Sequence, residues 1–508
     1  MVIKESARSS CAKLHLARAA ALATCLLGAL AYAEPARLHH YSVAVDQGLV
    51  TMRVRACFSG TPPRRLVAAS TDAEDALEKA ELEGAKRAFA TNGTEMRLGS
   101  LPNGACIAYA VDLGRFADNP GKARSAQRVG GDLVTDLGTW FWRPDSLEAD
   151  EEIDVEFELP AGISVSTPWQ IITTPDGRAA HRVGHGPYDW PAAVAFGHFS
   201  EYILELPQTR LRVSVLGESK LEPARITDWL RRAAAAVTTL YGRFPVPAVQ
   251  ILVVPGARGN EPVPWAYVLR GGGPSAHFFV NQNRPGQELD ADWTAVHELS
   301  HLLLPYVLST DAWLSEGAAS YFEHVLRARA GTIDAQEAWQ RIHDGFKRGM
   351  QSARGQSLAD ATERMYRSGA FLRVYWEGAA MMLLADQRLR SRTGGRQSLD
   401  SALDALQHCC LSPEVGWSGR EVFSKLDELT GTTVFAELYE EYVRSAALPD
   451  VAEADRLLGL QVTADGKVVL LDEGPQRATR DAIMRGTGRG STPPGQAAGA
   501  AQVNPGRQ

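Results

Sequence analysis

The spacing of hydrophobic and polar residues divides the chain into a strand-rich part and a helix-rich part. From about residue 40 to 207, short segments such as YSVAVDQGLVTMRVRACF alternate apolar and polar residues across turn residues. Alternation with a period of two is typical of strands that bury one face. We therefore expect an antiparallel β-sandwich over residues 34–207, interrupted by a short helix in the Ala/Glu-rich stretch 72–90.

The pattern changes near residue 208. A strand (LRVSVLG), an amphipathic helix over 226–240 and a buried strand (VQILVVPG) come first, and helical periodicity then dominates to about residue 444. A short hairpin with its turn at Asp465 and Gly466 follows. The expected fold class is a multidomain α+β chain.

The two ends of the chain differ from the middle. Basic residues precede a short apolar run at 19–30, and Ala31 and Ala33 are the small residues that a signal peptidase requires. The run is shorter than the roughly 20 apolar residues that span a bilayer, so we expect a cleaved signal peptide and a periplasmic or extracellular protein. A lipidated Cys25 is a weaker alternative. We expect no transmembrane segment in the mature chain, and a disordered tail over 474–508.

Composition then narrows the function classes. The chain has 508 residues, 45% of them hydrophobic and 22% charged, so two or three domains can each bury a core. Lys and Arg total 53 against 60 Asp and Glu, a formal net charge of -7, which does not favour a nucleic-acid partner. Cys57 and Cys106 lie in strand-like segments of the same region. We expect them to form a disulfide, with buried free thiols as the alternative.

The candidate chemistry lies in WTAVHELSHLLL, residues 293–304. His297 and His301 are four residues apart, which puts two imidazoles on one face of a helix, where they can bind one Zn²⁺. Glu298 follows the first histidine and is placed to reach a metal-activated water instead of the metal. The spacing predicts a metal hydrolase with Glu298 as its general base.

A second segment, AWLSEGAASYFE at 312–323, resembles the W-L-x-E-G-x-x-x-Y helix of the gluzincin metallopeptidases. The resemblance implies that Glu316 is the third ligand of one Zn²⁺ per chain, in a thermolysin-like zinc peptidase domain. Two imidazoles and one carboxylate leave a fourth position open to water. Glu323 is two helical turns further on, where it can orient a zinc-bound histidine; a solvated carboxylate is the alternative. We expect His324 to lie outside the site.

A third segment, VYWEGAA at 374–380 followed by RSRTGGRQSLD, is similar to glycyl-aminopeptidase-like gluzincins. At the same position, alanyl-aminopeptidase-like enzymes have a tyrosine whose hydroxyl faces the scissile carbonyl. The resemblance implies that Tyr375 donates a hydrogen bond to the developing oxyanion. Tyr366, nine residues earlier, is a competing candidate.

The aminopeptidases also have a G-x-M-E-N strand whose glutamate holds the free amino group of the substrate. The corresponding stretch contains no acid and consists of Gly271, Gly272, Gly273 and the residues up to His277. These glycines could let a substrate backbone add to the sheet edge, with His277 contacting substrate, or they could form a plain loop. Without the acid, the choice between aminopeptidase and endopeptidase stays open.

Together, these features predict the domain organisation and the function of the chain. The expected segments are a signal peptide (1–33), a β-sandwich (34–207), a thermolysin-like catalytic domain (208–330) with a helical part (331–450), a hairpin (451–473) and the tail (474–508). The expected function is an exported zinc metallopeptidase acting on a peptide or protein. The alternatives are a binding or scaffold protein with structural zinc, against which the intact Glu298 argues, and a zinc hydrolase of non-peptide substrates.

Overall fold

The computed structural model describes residues 37–85, 87–352, 355–410 and 415–486. The predicted signal peptide and the segment 487–508 lie outside this part of the chain. Its strands are β1 (Arg37–Val45), β2 (Thr51–Cys57), β3 (Arg65–Val67), β4 (Leu77–Leu82), β5 (Thr91–Asn92), β6 (Glu95–Arg97), β7 (Cys106–Asp112), β8 (Ala126–Val129), β9 (Asp132–Asp136), β10 (Glu151–Glu158), β11 (Ser164–Ser166), β12 (Gln170–Thr173), β13 (Ala179–Val183), β14 (Ala193–Gly197), β15 (Ser200–Leu206), β16 (Thr209–Val215), β17 (Ala248–Pro255), β18 (Trp265–Leu269), β19 (Ser275–Val280), β20 (Leu460–Val462) and β21 (Val468–Leu470).

The helices follow mainly after residue 222. They are α1 (Asp72–Ala76), α2 (Gly114–Ala117), α3 (Pro223–Thr238), α4 (Thr294–Ser300), α5 (Ala312–Arg329), α6 (Ala335–Gln351), α7 (Leu358–Glu363), α8 (Met365–Ser368), α9 (Phe371–Thr393), α10 (Leu399–Cys410), α11 (Gly419–Thr430), α12 (Val434–Leu438), α13 (Ala452–Leu458) and α14 (Arg477–Arg485). None of the helices in the described ranges is long and apolar enough to cross a membrane.

The N-terminal strands form a sandwich around one hydrophobic core. A seven-stranded sheet has the order β12-β13-β10-β1-β2-β7-β4, and a four-stranded sheet of order β11-β14-β9-β8 shares its core. Alternate residues of β2 and β7, such as Val54 and Tyr109, are buried, as the period of two predicts. Because β1 and β10 pair in parallel, the large sheet is mixed and the expectation of a purely antiparallel sandwich is wrong.

The Ala/Glu-rich stretch near residue 80 differs from the prediction. The helix α1 ends at Ala76, and the chain continues as β4, which pairs with the edge of β7. Pairing with that edge satisfies main-chain groups of β7 and overrides the local helix preference. The predicted pairing of Cys57 with Cys106 is confirmed, since these residues lie opposite each other on β2 and β7 and form a disulfide. The adjacent Cys409 and Cys410 are also joined.

A second sheet forms the platform of the helical part. Its order is β15-β16-β17-β19-β18. The strand β17 is apolar without alternation because both of its faces are buried: Ile251 and Val253 face the helices, whereas Leu252 and Val254 face the sandwich. The predicted boundary at residue 207 is wrong, because β15 forms a hairpin with β16 and therefore joins this sheet.

The helices from α3 onward share one hydrophobic core with this sheet, and that core extends to Met484. The segments expected at 208–330, 331–450 and 451–473 therefore all contribute to this one core. The hairpin β20–β21 turns at Gly466 as predicted and packs on α6, where Gln340 hydrogen-bonds to Gly466 and Val468. The disordered tail predicted from residue 474 is wrong for residues 477–485, because α14 buries Ile483 and Met484.

Candidate active site

The helix α4 and the turn that follows it bring the two histidines into the core. Asp292 precedes it and accepts hydrogen bonds from the indole of Trp229 at 2.9 Å and from the main-chain N–H of Ala295 at 3.3 Å. These bonds satisfy an otherwise orphaned N–H and anchor the start of the helix. The helix ends at Ser300, and His301 opens a 3₁₀ turn, so the second histidine lies at a tightened helix end.

The three predicted metal ligands converge. His297 Nε2 lies 3.4 Å from Glu316 Oε2, and His301 Nε2 lies 3.6 Å from the same oxygen. The ligand atoms of all three residues are within 4.8 Å of one another. Donors bonded to one tetrahedral Zn²⁺ at about 2.0–2.2 Å are about 3.3–3.6 Å apart. The chain's own geometry therefore fits a zinc ion held by two imidazoles and one carboxylate.

The connection between the two ligand helices is short, with 14 residues between His301 and Glu316. A distant segment holds it in place: Leu308 donates a hydrogen bond to the carbonyl of Trp417, and Trp417 donates one to the carbonyl of Tyr306. Because the link is tied down at both of these points, α5 returns against α4 with Glu316 at the level of the histidines.

Each imidazole has a partner on its other nitrogen. His297 Nδ1 lies 2.7 Å from Glu323 Oε2, and His301 Nδ1 lies 2.9 Å from Ser315 Oγ. Such bonds select the tautomer that leaves Nε2 free for a metal. Sequence reasoning did not single out Ser315. His324, expected outside the site, contacts the second oxygen of Glu323 at 3.1 Å. It therefore helps to position the carboxylate that contacts His297.

Glu298 lies beside the ligands and is itself buried, with 7% of its surface exposed. Burial raises the pKa of Glu298 to about 8, against the opposing charge of His297, and the carboxylates of Glu316 and Glu323 add to that rise. A carboxyl group with a pKa near neutrality can accept a proton in one step and return it in another.

Tyr375 is the tyrosine that reaches the ligands. Its ring stacks on His297 with centroids 6.0 Å apart, and the charge of Glu316 acts on its hydroxyl. Burial, followed by the charges of Glu316 and Glu298, raises the pKa of Tyr375 above its usual value, so the hydroxyl is a donor at neutral pH. The competing Tyr366 is 81% exposed and packs on Phe371.

Two glycines allow the helices that carry Glu316 and Tyr375 to touch. A Cβ on Gly317 of α5 would overlap the main chain of Gly378 on α9, and a Cβ on Gly378 would overlap the carbonyl oxygen of Trp313. Glu316 precedes one glycine, and Tyr375 lies one turn before the other. The close helix crossing therefore sets the distance between the tyrosine hydroxyl and the carboxylate.

We expect Gly378→Ala to destabilise the protein and lower its activity. The gain of roughly 1 kcal/mol that alanine usually brings to a helix is outweighed by overlap with a main-chain carbonyl, so the net loss should be about 1–3 kcal/mol. Denaturant unfolding measures it. The matched control is Gly286→Ala, whose new methyl group would meet its nearest neighbour at 3.6 Å. Equal stability of the two variants would contradict the tight crossing.

The structure does not bring the predicted substrate-binding residues to this site. On β19, Ala276 and Phe278 face the helices, so His277 faces the opposite side of the sheet, where its Nε2 lies 2.8 Å from Ser275 Oγ. Burial lowers the pKa of His277 to about 3. The expectation that His277 contacts substrate is therefore wrong.

The glycine run is also displaced from the ligands. Gly271, Gly272 and Gly273 form the turn between β18 and β19 and pack against residues 168–191 of the sandwich. The free edge of the sheet beside α4 is β18 itself, and its sequence WAYVL contains no acid. The expectation that these glycines form the substrate-binding edge is wrong, although the absence of an acid holds for the actual edge strand as well.

The chain is similar in structure to known proteins, although its sequence is not. No model of a protein family and no curated protein matches the sequence. Among solved structures, an aminopeptidase N family protein from Idiomarina loihiensis matches with a TM-score of 0.64 at 16% identity, over 84% of this chain and 79% of that one. The M1 zinc metallopeptidase from Deinococcus radiodurans matches with a TM-score of 0.51 at 15% identity, over 82% of this chain and 94% of that one. A mutant of that enzyme, solved with a Tyr-Ser-Ala substrate bound, matches equally well.

The chain therefore has the fold of the M1 zinc metallopeptidases. This confirms the gluzincin-type fold that the motifs led us to expect. At 15–16% identity the likeness concerns the fold.

Proposed function

We propose that the protein is a zinc metallopeptidase that hydrolyses peptide bonds. The observation that carries the proposal is the convergence of His297, His301 and Glu316 on one point, with the buried Glu298 beside them. A Zn²⁺ ion held by these three residues, one per chain, supplies a Lewis acid that polarises a carbonyl and lowers the pKa of water.

The remaining chemistry belongs to side chains of the chain. Glu298 takes a proton from the attacking water at a carboxylate oxygen and later passes it to the leaving amine. Tyr375 donates its hydroxyl hydrogen bond to the carbonyl oxygen as negative charge develops there. Glu323 and Ser315 hold the imidazoles of His297 and His301 in the orientation that metal binding requires.

Export is the second part of the proposal. The pattern of residues 1–33 is typical of a cleaved signal peptide. The disulfide between Cys57 and Cys106 supports an oxidising compartment, since such bonds are rare in the cytosol. We propose a periplasmic or extracellular location, where peptides or proteins are the substrates.

Hydrolysis of a peptide library tests the activity. We expect cleavage by the zinc-loaded protein and none after removal of the metal by a chelator, with recovery on adding Zn²⁺. The cut positions decide between aminopeptidase and endopeptidase. Metal binding without cleavage of any peptide would overturn the peptidase proposal and favour a scaffold protein or a hydrolase of other substrates.

Tyr375→Phe tests the oxyanion contact. We expect kcat to fall by about 10²- to 10³-fold, the usual effect of losing one oxyanion donor, with little change in KM because the ring is kept. Tyr366→Phe is the matched control, since its ring is exposed and packs on Phe371. If the Tyr366 variant lost activity and the Tyr375 variant did not, the assignment would be reversed.

A further inference from the structure

The turn between β18 and β19 lies between the sandwich and the end of the metal-binding helix. It begins at Arg270 and contains the three glycines Gly271 to Gly273. One side of this turn contacts the sandwich, and the side chain of its first residue reaches the helix end. The turn is thus a direct physical connection between two parts of the protein that have separate hydrophobic cores.

On the helix side, Arg270 caps the segment that contains His301. Its Nη2 donates hydrogen bonds to the carbonyl oxygen of His301 at 2.5 Å and to that of Leu304 at 3.3 Å. Carbonyls at the end of a helix lack partners within the helix, and a cation is favourable there. Arg270 therefore holds the main chain of a proposed zinc ligand.

On the sandwich side, the turn is packed without space for a side chain. A Cβ on Gly271 would overlap the carbonyl of Trp190, and one on Gly272 would overlap the indole of Trp169. The main-chain N–H of Gly271 also donates a hydrogen bond to the carbonyl of Pro191 at 3.0 Å. Gly272 has a φ of +70°, a conformation that favours glycine. The sandwich thus sets the position of the turn from which Arg270 extends.

A second contact joins the same two regions. The ring of Trp190 packs on the ring of Tyr306 with centroids 4.2 Å apart, and Tyr306 lies five residues after His301. The sandwich segment 190–191 therefore contacts both the glycine turn and the chain that leaves the metal helix. Both contacts act just beyond the C-terminal end of α4, where the second histidine opens the 3₁₀ turn.

We propose that the sandwich acts as a buttress of the metal site: it fixes the position of the glycine turn, and Arg270, the positioning residue, holds the main chain of His301 from that turn. This inference rests on the proposed function, because it assigns the support of a zinc ligand. It gives the N-terminal sandwich a role in the site through the glycine turn and Arg270. The glycine run serves this docking instead of substrate binding.

The test is Arg270→Met, which keeps much of the side chain and removes the donors. We expect the Kd for Zn²⁺, measured by competition with a chromophoric chelator, to rise by about 10-fold, at the lower end of the 10- to 100-fold typical of losing support around a metal ligand. We also expect a changed visible absorption spectrum of the Co²⁺-substituted protein, because that spectrum reports ligand geometry. Arg270→Lys, which keeps a cation and a donor, should recover part of both.

The matched control is Arg480→Met. Arg480 also donates to two main-chain carbonyls, those of Gly459 and Leu471 at 3.0 and 2.7 Å, and both lie in the C-terminal part of the chain. It should lower the unfolding temperature and leave the Zn²⁺ affinity and Co²⁺ spectrum unchanged. If Arg270→Met behaved like this control, the buttress would be refuted. If the wild-type protein bound no metal, the proposed function itself would fail, so the two failures are distinguishable.

Discussion

Replacing Glu298 by glutamine should lower kcat/KM by about 10²- to 10⁴-fold, the range that general acid–base catalysis contributes. Glutamine keeps the size of the side chain but cannot accept a proton at neutral pH. His297, His301 and Glu316 are unchanged in this variant, so it should bind zinc with the wild-type stoichiometry, as elemental analysis would show. Stability should change little, since glutamine matches the side chain in size and, like the protonated carboxyl that a pKa of about 8 favours, is neutral.

The control for this experiment is Glu288→Gln. Glu288 pairs with Arg284 on the surface, and its loss should leave both zinc content and hydrolysis unchanged. Full activity of the Glu298 variant would end its assignment as general base. Loss of both zinc and activity would show that Glu298 is needed for metal binding. That result would contradict the proposal, in which Glu298 transfers protons and does not bind the metal.

Glu316→Ala should lose zinc. Outer partners of metal ligands typically contribute 10- to 100-fold to metal affinity, so removal of a ligand should weaken binding by more than about 100-fold. The geometric reason is that Oε2 of Glu316 is the atom from which both imidazole nitrogens are 3.4–3.6 Å away. The two histidines that remain leave the ion with too few protein donors for a stable site.

Glu323→Gln is the graded comparison for Glu316→Ala. It leaves all three ligands and weakens only the partner of His297 Nδ1, so its zinc affinity should lie between that of the wild type and that of the Glu316 variant. Thermal unfolding with increasing Zn²⁺ provides a second measurement, because a ligand stabilises the folded state in proportion to the logarithm of its concentration over Kd. Stoichiometric zinc in Glu316→Ala at wild-type affinity would point to another third ligand.

Features with a strong local signal could be read from the sequence. A spacing of four residues puts His297 and His301 on one helical face wherever the helix packs. Period-two alternation places Cys57 and Cys106 on strands, and the hairpin at Gly466 follows from its turn residues. In each case the information lies within a few residues, so no distant contact is needed to interpret it.

Other features depended on contacts between distant segments. The strand β15 has the same alternation as the sandwich strands, and its hairpin with β16 assigns it to the second sheet. The residues of α14 look like a polar tail until Ile483 and Met484 are placed in the core. A local pattern shows which residues share a face, but the partner of that face is decided by packing.

The sequence by itself predicted the proposed ligands and base, and it determined the strand-to-helix division of this protein. The tertiary structure alone decided what supports the ligands: Ser315 behind His301, the glycine crossing beside Tyr375, and Arg270 at the helix end. It also decided the side on which His277 lies. Because both faces of the second sheet are buried, polarity along β19 does not indicate which face meets the site; the packing of the helices on one side and the sandwich on the other does.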